Sequence, residues 1–294
     1  MAAQRPPEWL RVKLGKLEHS RQTAQRLARH GVSTVCSNAR CPNIGECYGG
    51  GTATFLIMGE VCTRDCAFCA VRHGAPQPLD PAEPQRVAEA AADLGLTHVV
   101  VTSVTRDDLP DGGAAHFVAT VGAIRQALPH ATIEVLTPDF GGAPEPTALV
   151  ARAAPDVLNH NLETVRRLQR SIRPQASYET SLDVLRRFRE IAPTAATKSG
   201  LMLGLGETEE EVLEAMADLR RVGCDLLTLG QYLRPTPRHT AIDRYVHPDE
   251  FERLRARAEA MGFIHCASGP FVRSSYDAAT AAQVVASLRA EVRG

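Results

Sequence analysis

Six of the eight cysteines crowd into residues 36–69, in two triplets whose spacing suits iron better than disulfides. Cys62-Thr-Arg-Asp-Cys66-Ala-Phe-Cys69 reads C-x3-C-x2-C and directly follows a β-rich stretch, Thr52 to Met58. Three thiolates this close can hold three irons of a cubane cluster and leave the fourth without a protein ligand. An open iron is useful only if another molecule binds there. The amino and carboxylate groups of S-adenosylmethionine can chelate that corner and bring the sulfonium beside it. One electron then splits a carbon–sulfur bond and yields a 5′-deoxyadenosyl radical. Zinc competes poorly, because structural zinc takes four ligands, usually as two pairs, and this triplet has unequal gaps. Cys62, Cys66 and Cys69 are therefore expected to be catalytic.

The second triplet, Cys36-Ser-Asn-Ala-Arg-Cys41-Pro-Asn-Ile-Gly-Glu-Cys47, reads C-x4-C-x5-C. Alone it fits a zinc knuckle or a structural or electron-transfer cluster. Beside the first triplet it suggests a second cubane with a further task, and a cluster carries sulfide that it could donate. Clustered cysteines in a reducing compartment point to metal binding or catalysis. Cys224 and Cys266 stand apart and read as small buried apolar side chains.

The rest of the chain must position these loops. With 294 residues, a net charge of −1, 44% hydrophobic and 23% charged residues, it is an ordinary globular composition. Such a charge gives no basic field for a nucleic-acid backbone or an anionic membrane. Apolar runs are strand-sized, as at Val99 to Val101, so no membrane span is expected. Met1 to Leu10 lacks a secretory pattern and the early Glu8 speaks against a transit peptide, so a cytoplasmic location is expected. From Thr52 onward apolar strands alternate with amphipathic helices: strands at His98 to Ser103, Ile133 to Leu136, Asp156 to Asn161, Thr197 to Leu203 and Asp225 to Leu233 complete six βα units. Thr208 and Glu211 open one helix as a capping box, and Pro248 starts another. Alternation of this kind implies a parallel sheet. Periodicity does not distinguish an open doubly wound sheet from a curved partial barrel.

Both triplets in this order, with five further segments, resemble the lipoyl synthase family of radical S-adenosylmethionine enzymes. The segments are Thr102-Ser-Val-Thr-Arg-Asp-Asp-Leu-Pro-Asp-Gly-Gly113, Asn159-His-Asn-Leu-Glu-Thr-Val165, Lys198-Ser-Gly-Leu-Met-Leu-Gly-Leu-Gly-Glu207, Gln231-Tyr-Leu233 and Gly269-Pro-Phe-Val-Arg-Ser-Ser-Tyr276. The resemblance runs from Cys36 to Tyr276. It implies an α/β partial (β/α)6 TIM-like barrel at 51–266, an N-terminal cysteine-rich extension at 1–50 and a C-terminal tail at 267–294. It implies two [4Fe–4S] clusters and S-adenosylmethionine as cofactors, the auxiliary cluster on Cys36, Cys41, Cys47 and Ser275. An octanoyl chain on a lipoyl carrier domain, of a 2-oxoacid dehydrogenase E2 subunit or the glycine cleavage H protein, would receive sulfur at C6 and C8 from that cluster. A ferredoxin- or flavodoxin-like reductant and an iron–sulfur carrier for cluster rebuilding are the other implied partners. Radical chemistry fits such a substrate, because unactivated alkyl C–H bonds offer no proton for a His or Glu base.

Contacts to the bound cofactor are expected from Phe68 beside the adenine, Ser103 after the second strand, Asn159, Asn161 and Glu163 after the fourth, and Lys198 and Glu207 of the glycine-rich segment. Helix capping for the asparagines and a structural ion pair for Lys198 explain those residues nearly as well. Arg106 and Asp107 could bind cofactor or order the rim, Arg273 could assist the auxiliary cluster, and His73, His98 and His160 read as structural histidines. Gln175 departs from the glycine common in the family, and the N-terminal extension is short. An enzyme resembling biotin synthase is the near alternative, against which the upstream triplet and the Arg-Ser-Ser-Tyr tail argue. A non-catalytic iron–sulfur carrier or zinc-binding interaction protein would not need six strands ending in polar residues.

Overall fold

The computed structural model describes residues 5–10, 17–49, 53–276 and 278. The N-terminal part forms α1 (Leu17–Arg29), β1 (Ser33–Thr34), α2 (Val35–Asn38) and α3 (Ile44–Gly49). Strand β2 (Thr54–Ile57) opens the main sheet, and the short pair β3 (Val61–Cys62) and β4 (Arg72–His73) frames the loop after it. Then α4 (Glu83–Asp93), β5 (His98–Ser103), α5 (Ala114–Ala127), β6 (Thr132–Leu136), α6 (Pro144–Arg152) and β7 (Val157–Asn159) alternate. The chain continues through α7 (Gln169–Ile172), α8 (Tyr178–Ile191), β8 (Ala196–Leu203), α9 (Glu209–Arg221), β9 (Leu226–Gln231), α10 (Pro248–Ala260) and β10 (His265–Gly269).

The main sheet runs β1-β2-β5-β6-β7-β8-β9-β10, parallel throughout except for antiparallel β1 against β2. Strand order follows chain order without reversal. A doubly wound sheet needs a reversal to create its switch point, so this order selects the curved partial barrel. Among the described residues no ladder joins β1 to β10, which leaves the barrel open.

Two differences from the sequence reading concern the ends. A seventh parallel strand, β10, extends the six expected, and it runs to Gly269 inside the segment expected as tail. His-Cys-Ala-Ser-Gly lacks the β-branched residues that advertise a strand. Pairing with β9 supplies the order instead. The cysteine-rich extension also joins the sheet through β1, so it is built onto the barrel edge.

Helix faces meet the sheet in two apolar groups. One joins Phe55, Ile57, Val99, Val101, Ile133 and Val135 to Phe117, Ile124 and Phe188. The other packs Leu201, Leu203, Leu227 and Leu229 against Leu185, Met216, Leu219 and Phe251. Local signals agree with these elements: Thr208 and Glu211 form the expected capping box, and Ser177 caps α8. No helix among the described residues is long and apolar enough to cross a membrane.

Candidate active site

The first triplet lies on the loop leaving β2, at the C-terminal end of the parallel strands, where barrel enzymes assemble chemistry. Cys62 Sγ accepts backbone N–H bonds from Arg64 at 3.4 Å and Thr105 at 3.3 Å. The middle of the loop is gripped from two sides. Ala67 N donates to Ile172 O at 2.9 Å, and Thr240 N donates to Ala67 O at 2.9 Å. His239 Nε2 donates to Cys69 O at 2.9 Å. All three cysteines are free and half-buried. Burial pushes the Cys66 thiol up to about 11, with the Arg173 charge working the other way. Burial likewise pushes Cys69 up to about 12, against a backbone N–H bond from Val71.

Cys66 and Cys69 thus resist ionising alone, while Cys62 and Cys69 meet N–H donors that suit sulfur carrying negative charge. Iron supplies the missing positive partner, and metal binding releases the protons. Among the described residues no three His, Cys, Asp or Glu side chains stand close enough to share a single metal ion. A cubane makes no such demand, because each thiolate takes a different iron. The donor set therefore fits a polynuclear cluster.

Beside this loop the strand ends carry buried polar atoms with no partner among the described residues: Ser103 Oγ, Thr137 Oγ1, Asn159 Oδ1, His160 Nε2 and Asn161 Oδ1. Each buried unpaired group costs roughly 1–3 kcal/mol, so a row of them across β5, β6 and β7 marks a surface for a polar ligand. Glu163 adds a strained element: its φ of 70° is in the left-handed region. Its backbone bonds Gly200 O and Met202 N, and Asn161 Nδ2 donates to Glu163 Oε1 at 3.0 Å. Burial pushes the Glu163 carboxyl up, opposed by Arg173. Gly200 lets these residues approach, because a Cβ there would lie 2.5 Å from Thr228 Oγ1 and 3.1 Å from Asn161 Oδ1. Phe68 packs against the apolar group of Ile172, Leu205 and Tyr232.

Two expected cofactor contacts are instead engaged within the protein. Lys198 Nζ donates to both oxygens of Glu134, at 2.9 and 3.0 Å, and both residues are buried inside the barrel. Glu207 accepts from Gly204 N at 2.6 Å and Leu205 N at 2.8 Å, so it folds the glycine-rich turn back on itself. Arg106 is likewise occupied, by Asp108 and Met58 O, and orders the rim. His73 pairs with exposed Asp65, His98 with Thr132, and His160 donates Nδ1–H to Thr137 O at 2.9 Å. Burial, with Arg173, holds His160 down to about 4, so its ring is neutral. Cys224 and Cys266 are buried in the second apolar group.

The second triplet is spread over α2, the turn after it and α3. Thr34 caps α2 and shares a 2.7 Å hydrogen bond with Tyr48 Oη, which ties the two helices together. Cys36 is buried, and burial raises its thiol. The tail lies against this unit. Asn43 Nδ2 donates to Phe271 O at 2.6 Å, and Tyr276 Oη donates to Glu46 at 3.4 Å. Arg273 is half-buried, and its desolvation lowers its guanidinium, with the nearby Cys41 acting in the opposite sense. Ser274 Oγ accepts from Asn161 Nδ2, so the same tail reaches the first site. Ser275, half-buried, follows directly.

Gly230 permits this docking, because a Cβ there would lie 2.1 Å from Val272 O. Gly230→Ala is expected to lift the tail and speed proteolytic cleavage within 270–276 about tenfold by raising its local opening. An unchanged cleavage rate would show that the tail is held elsewhere.

Several participants had no sequence signal. Asp139 and Arg173 acquire their roles through partners distant in sequence, Asp139 through Arg64 and Arg173 through the carbonyls of Asn161 and Leu162. Gln169 is buried with both amide atoms unpartnered, and lies on α7, whose Ile172 O grips the first loop.

Comparison with known proteins agrees with this geometry. The model of the Radical SAM superfamily matches residues 56–219. The lipoyl synthase of Caldanaerobacter subterraneus subsp. tengcongensis is 55% identical over 274 residues, covering 93% of this chain and 96% of that protein. That of Symbiobacterium thermophilum is also 55% identical, over 93% of this chain and 86% of the relative. That of Nitrosococcus oceani is 56% identical over 277 residues, 94% and 85% of the two chains. Among solved structures, HydG, a maturase of the [FeFe]-hydrogenase, shares the fold with a TM-score of 0.55 at 15% identity, over 85% of this chain and 62% of that one. Streptococcus suis SuiB bound to S-adenosylmethionine gives 0.54 at 13% identity, over 81% and 50%. With more than half the sequence shared along nearly its whole length, and a cysteine loop at the mouth of a partial barrel, this chain belongs to the lipoyl synthase family of the radical SAM superfamily.

Proposed function

We propose that Cys62, Cys66 and Cys69 hold the radical-generating [4Fe–4S] cluster, and that Cys36, Cys41, Cys47 and Ser275 hold the auxiliary one. When bound, these groups supply one-electron cleavage of S-adenosylmethionine and the sulfide for two insertions, at C6 and C8 of a protein-bound octanoyl chain. The protein's own work is to bind, orient and exclude water. The unpaired oxygens of Ser103, Asn159 and Asn161 face a polar cofactor, and Phe68, with its apolar neighbours, offers a surface for a flat base. Burial raises the Glu163 carboxyl against the Arg173 charge, a cost to its ionised form that a cationic amine of the cofactor would offset. Lys198 and Glu207 act behind the surface, Lys198 through the Glu134 that orients Asn159, and Glu207 through the turn at Gly204.

The observation that carries this reading is the tail, which bonds Asn161 of the first site and Asn43 of the second with residues 274 and 271. Two iron centres linked in this way suit a substrate that meets a radical at one and sulfur at the other. The substrate is an octanoylated carrier domain. The reductant is a ferredoxin- or flavodoxin-like protein, a separate iron–sulfur carrier rebuilds the spent cluster, and the setting is the reducing cytoplasm.

Mass analysis of an octanoylated carrier peptide, after turnover by the anaerobically reconstituted enzyme with S-adenosylmethionine and dithionite, tests the reading. A gain of two sulfur atoms is expected. Cys36→Ala is expected to cleave S-adenosylmethionine yet add no sulfur. Sulfur insertion by that variant would refute the role given to the second triplet.

A further inference from the structure

Arg64 sits between two of the three thiols of the first loop, and its guanidinium binds neither. Its side chain is 7% exposed. Nε and Nη2 donate to the two oxygens of Asp107, each at 2.8 Å, and Nη1 and Nη2 donate to those of Asp139, each at 2.7 Å. One planar guanidinium thus makes two forked carboxylate contacts, a geometry that lysine does not reproduce. Asp107 follows β5 and Asp139 follows β6, so a side chain from the loop after β2 laces three successive strand ends. Asp139 is itself 2% exposed and also accepts from Gly141 N at 3.0 Å. Burial opposes the Arg64 charge, but its bonds to Asp107 and Asp139 hold that charge firmly in place.

Thr63 makes the second half of the strap. Its N and its Oγ1 both donate to Thr105 O at 3.0 Å, and Oγ1 also meets the Asp107 carboxylate and backbone N at 3.1 Å. The two segments held together, 63–64 and 105–107, are the ones that supply the N–H donors to Cys62 Sγ. Hydrogen bonds to a ligating sulfur favour the reduced cluster, since they stabilise added negative charge, and are among the levers that set cluster potential.

We propose that Arg64 and Thr63 are positioning residues whose strap fixes Cys62 Sγ between the Arg64 and Thr105 amides and thereby raises the reduction potential of the cluster on Cys62, Cys66 and Cys69. This rests on the ligand assignment made above. A strap that merely braced the fold would change stability and iron uptake without moving a potential.

The test is a redox titration of the reconstituted holoenzyme with dithionite. It follows the paramagnetic signal that changes on adding S-adenosylmethionine, in the parent, Arg64→Lys and Thr63→Val. Both substitutions preserve net charge, so a shift reports lost hydrogen-bond geometry. The expected result is a more negative midpoint in each variant. For Arg64→Lys the reduced-to-oxidised ratio at fixed potential should fall about tenfold, which for a one-electron couple is about 59 mV. A midpoint unmoved, or moved positive, in variants with full iron content overturns the strap. Should Arg64→Lys take up no iron, Thr63→Val decides by the same criterion. A parent enzyme lacking the cofactor-responsive signal would overturn the ligand assignment, and the strap with it. A parent that shows the signal beside unshifted variants overturns the strap alone.

Discussion

Cys66→Ala is expected to abolish reductive cleavage of S-adenosylmethionine and to lower iron from about eight to about four per chain, if each site holds a cubane. Cys66 is the middle cysteine of the first loop, and the flanking backbone is pinned on both sides by Ile172 and Thr240. That anchoring keeps the fold of the loop independent of the missing sulfur. The loss should therefore be chemical, with the melting transition nearly unchanged. The second triplet lies on separate elements, α2 and α3, so its iron should survive. Cleavage persisting in Cys66→Ala would mean that the radical centre lies elsewhere. An iron content falling to zero would mean that the two triplets form one centre rather than two.

The first triplet is legible because its three cysteines are local: eight residues contain the whole spacing, and a β-rich stretch precedes it. The partial barrel was half legible. Alternating strands and helices announced a parallel sheet, but only the observed strand order, which never reverses, rules out the doubly wound alternative. Sequence pattern failed where pairing partners are remote. Arg64 and Asp139 stand 75 positions apart, and Asn43 meets Phe271 across 228. Nothing in Pro138-Asp-Phe140 distinguishes a buried clamp from a polar turn. β10 was missed for a related reason, since its order comes from β9 rather than from its own residues. Of the two roles the sequence allows Lys198, the structure shows the ion pair, with Glu134. The partner's trace was present as well: Thr-Ile-Glu-Val-Leu at 132–136 sets an acid in the middle of an apolar strand, where an unpaired charge is too costly to persist.

That pair carries the second large effect. Lys198→Met is expected to destabilise the protein by about 3–5 kcal/mol, since it strands the Glu134 carboxylate inside the barrel. In the native protein burial would raise the Glu134 carboxyl, but the Lys198 charge, with His98 3.7 Å away, overcomes this and holds it below its ordinary 4.5. A carboxylate with a depressed folded value contributes stability that is present above the unfolded value. That contribution is lost as pH falls through the folded one. Without Lys198 the sign reverses: burial dominates, the folded value rises above 4.5, and protonation relieves the penalty. The stability gap between parent and variant, read from urea midpoints, should therefore be widest where both carboxyls are ionised and shrink as pH falls, first through the variant's raised value and then below about pH 4.5 as the parent loses its own contribution. Lys198→Met combined with Glu134→Leu should recover most of the loss, because an apolar pair of similar volume needs no counter-charge. Recovery of stability need not restore chemistry. Glu134 Oε1 also accepts from Asn159 Nδ2 at 2.8 Å, and this bond turns the unpaired Asn159 Oδ1 toward its place in the polar row. The double variant is thus expected to fold well yet bind S-adenosylmethionine more weakly. Equal stability in Lys198→Met and the parent at pH 7 would show that the ion pair is not what keeps Glu134 charged.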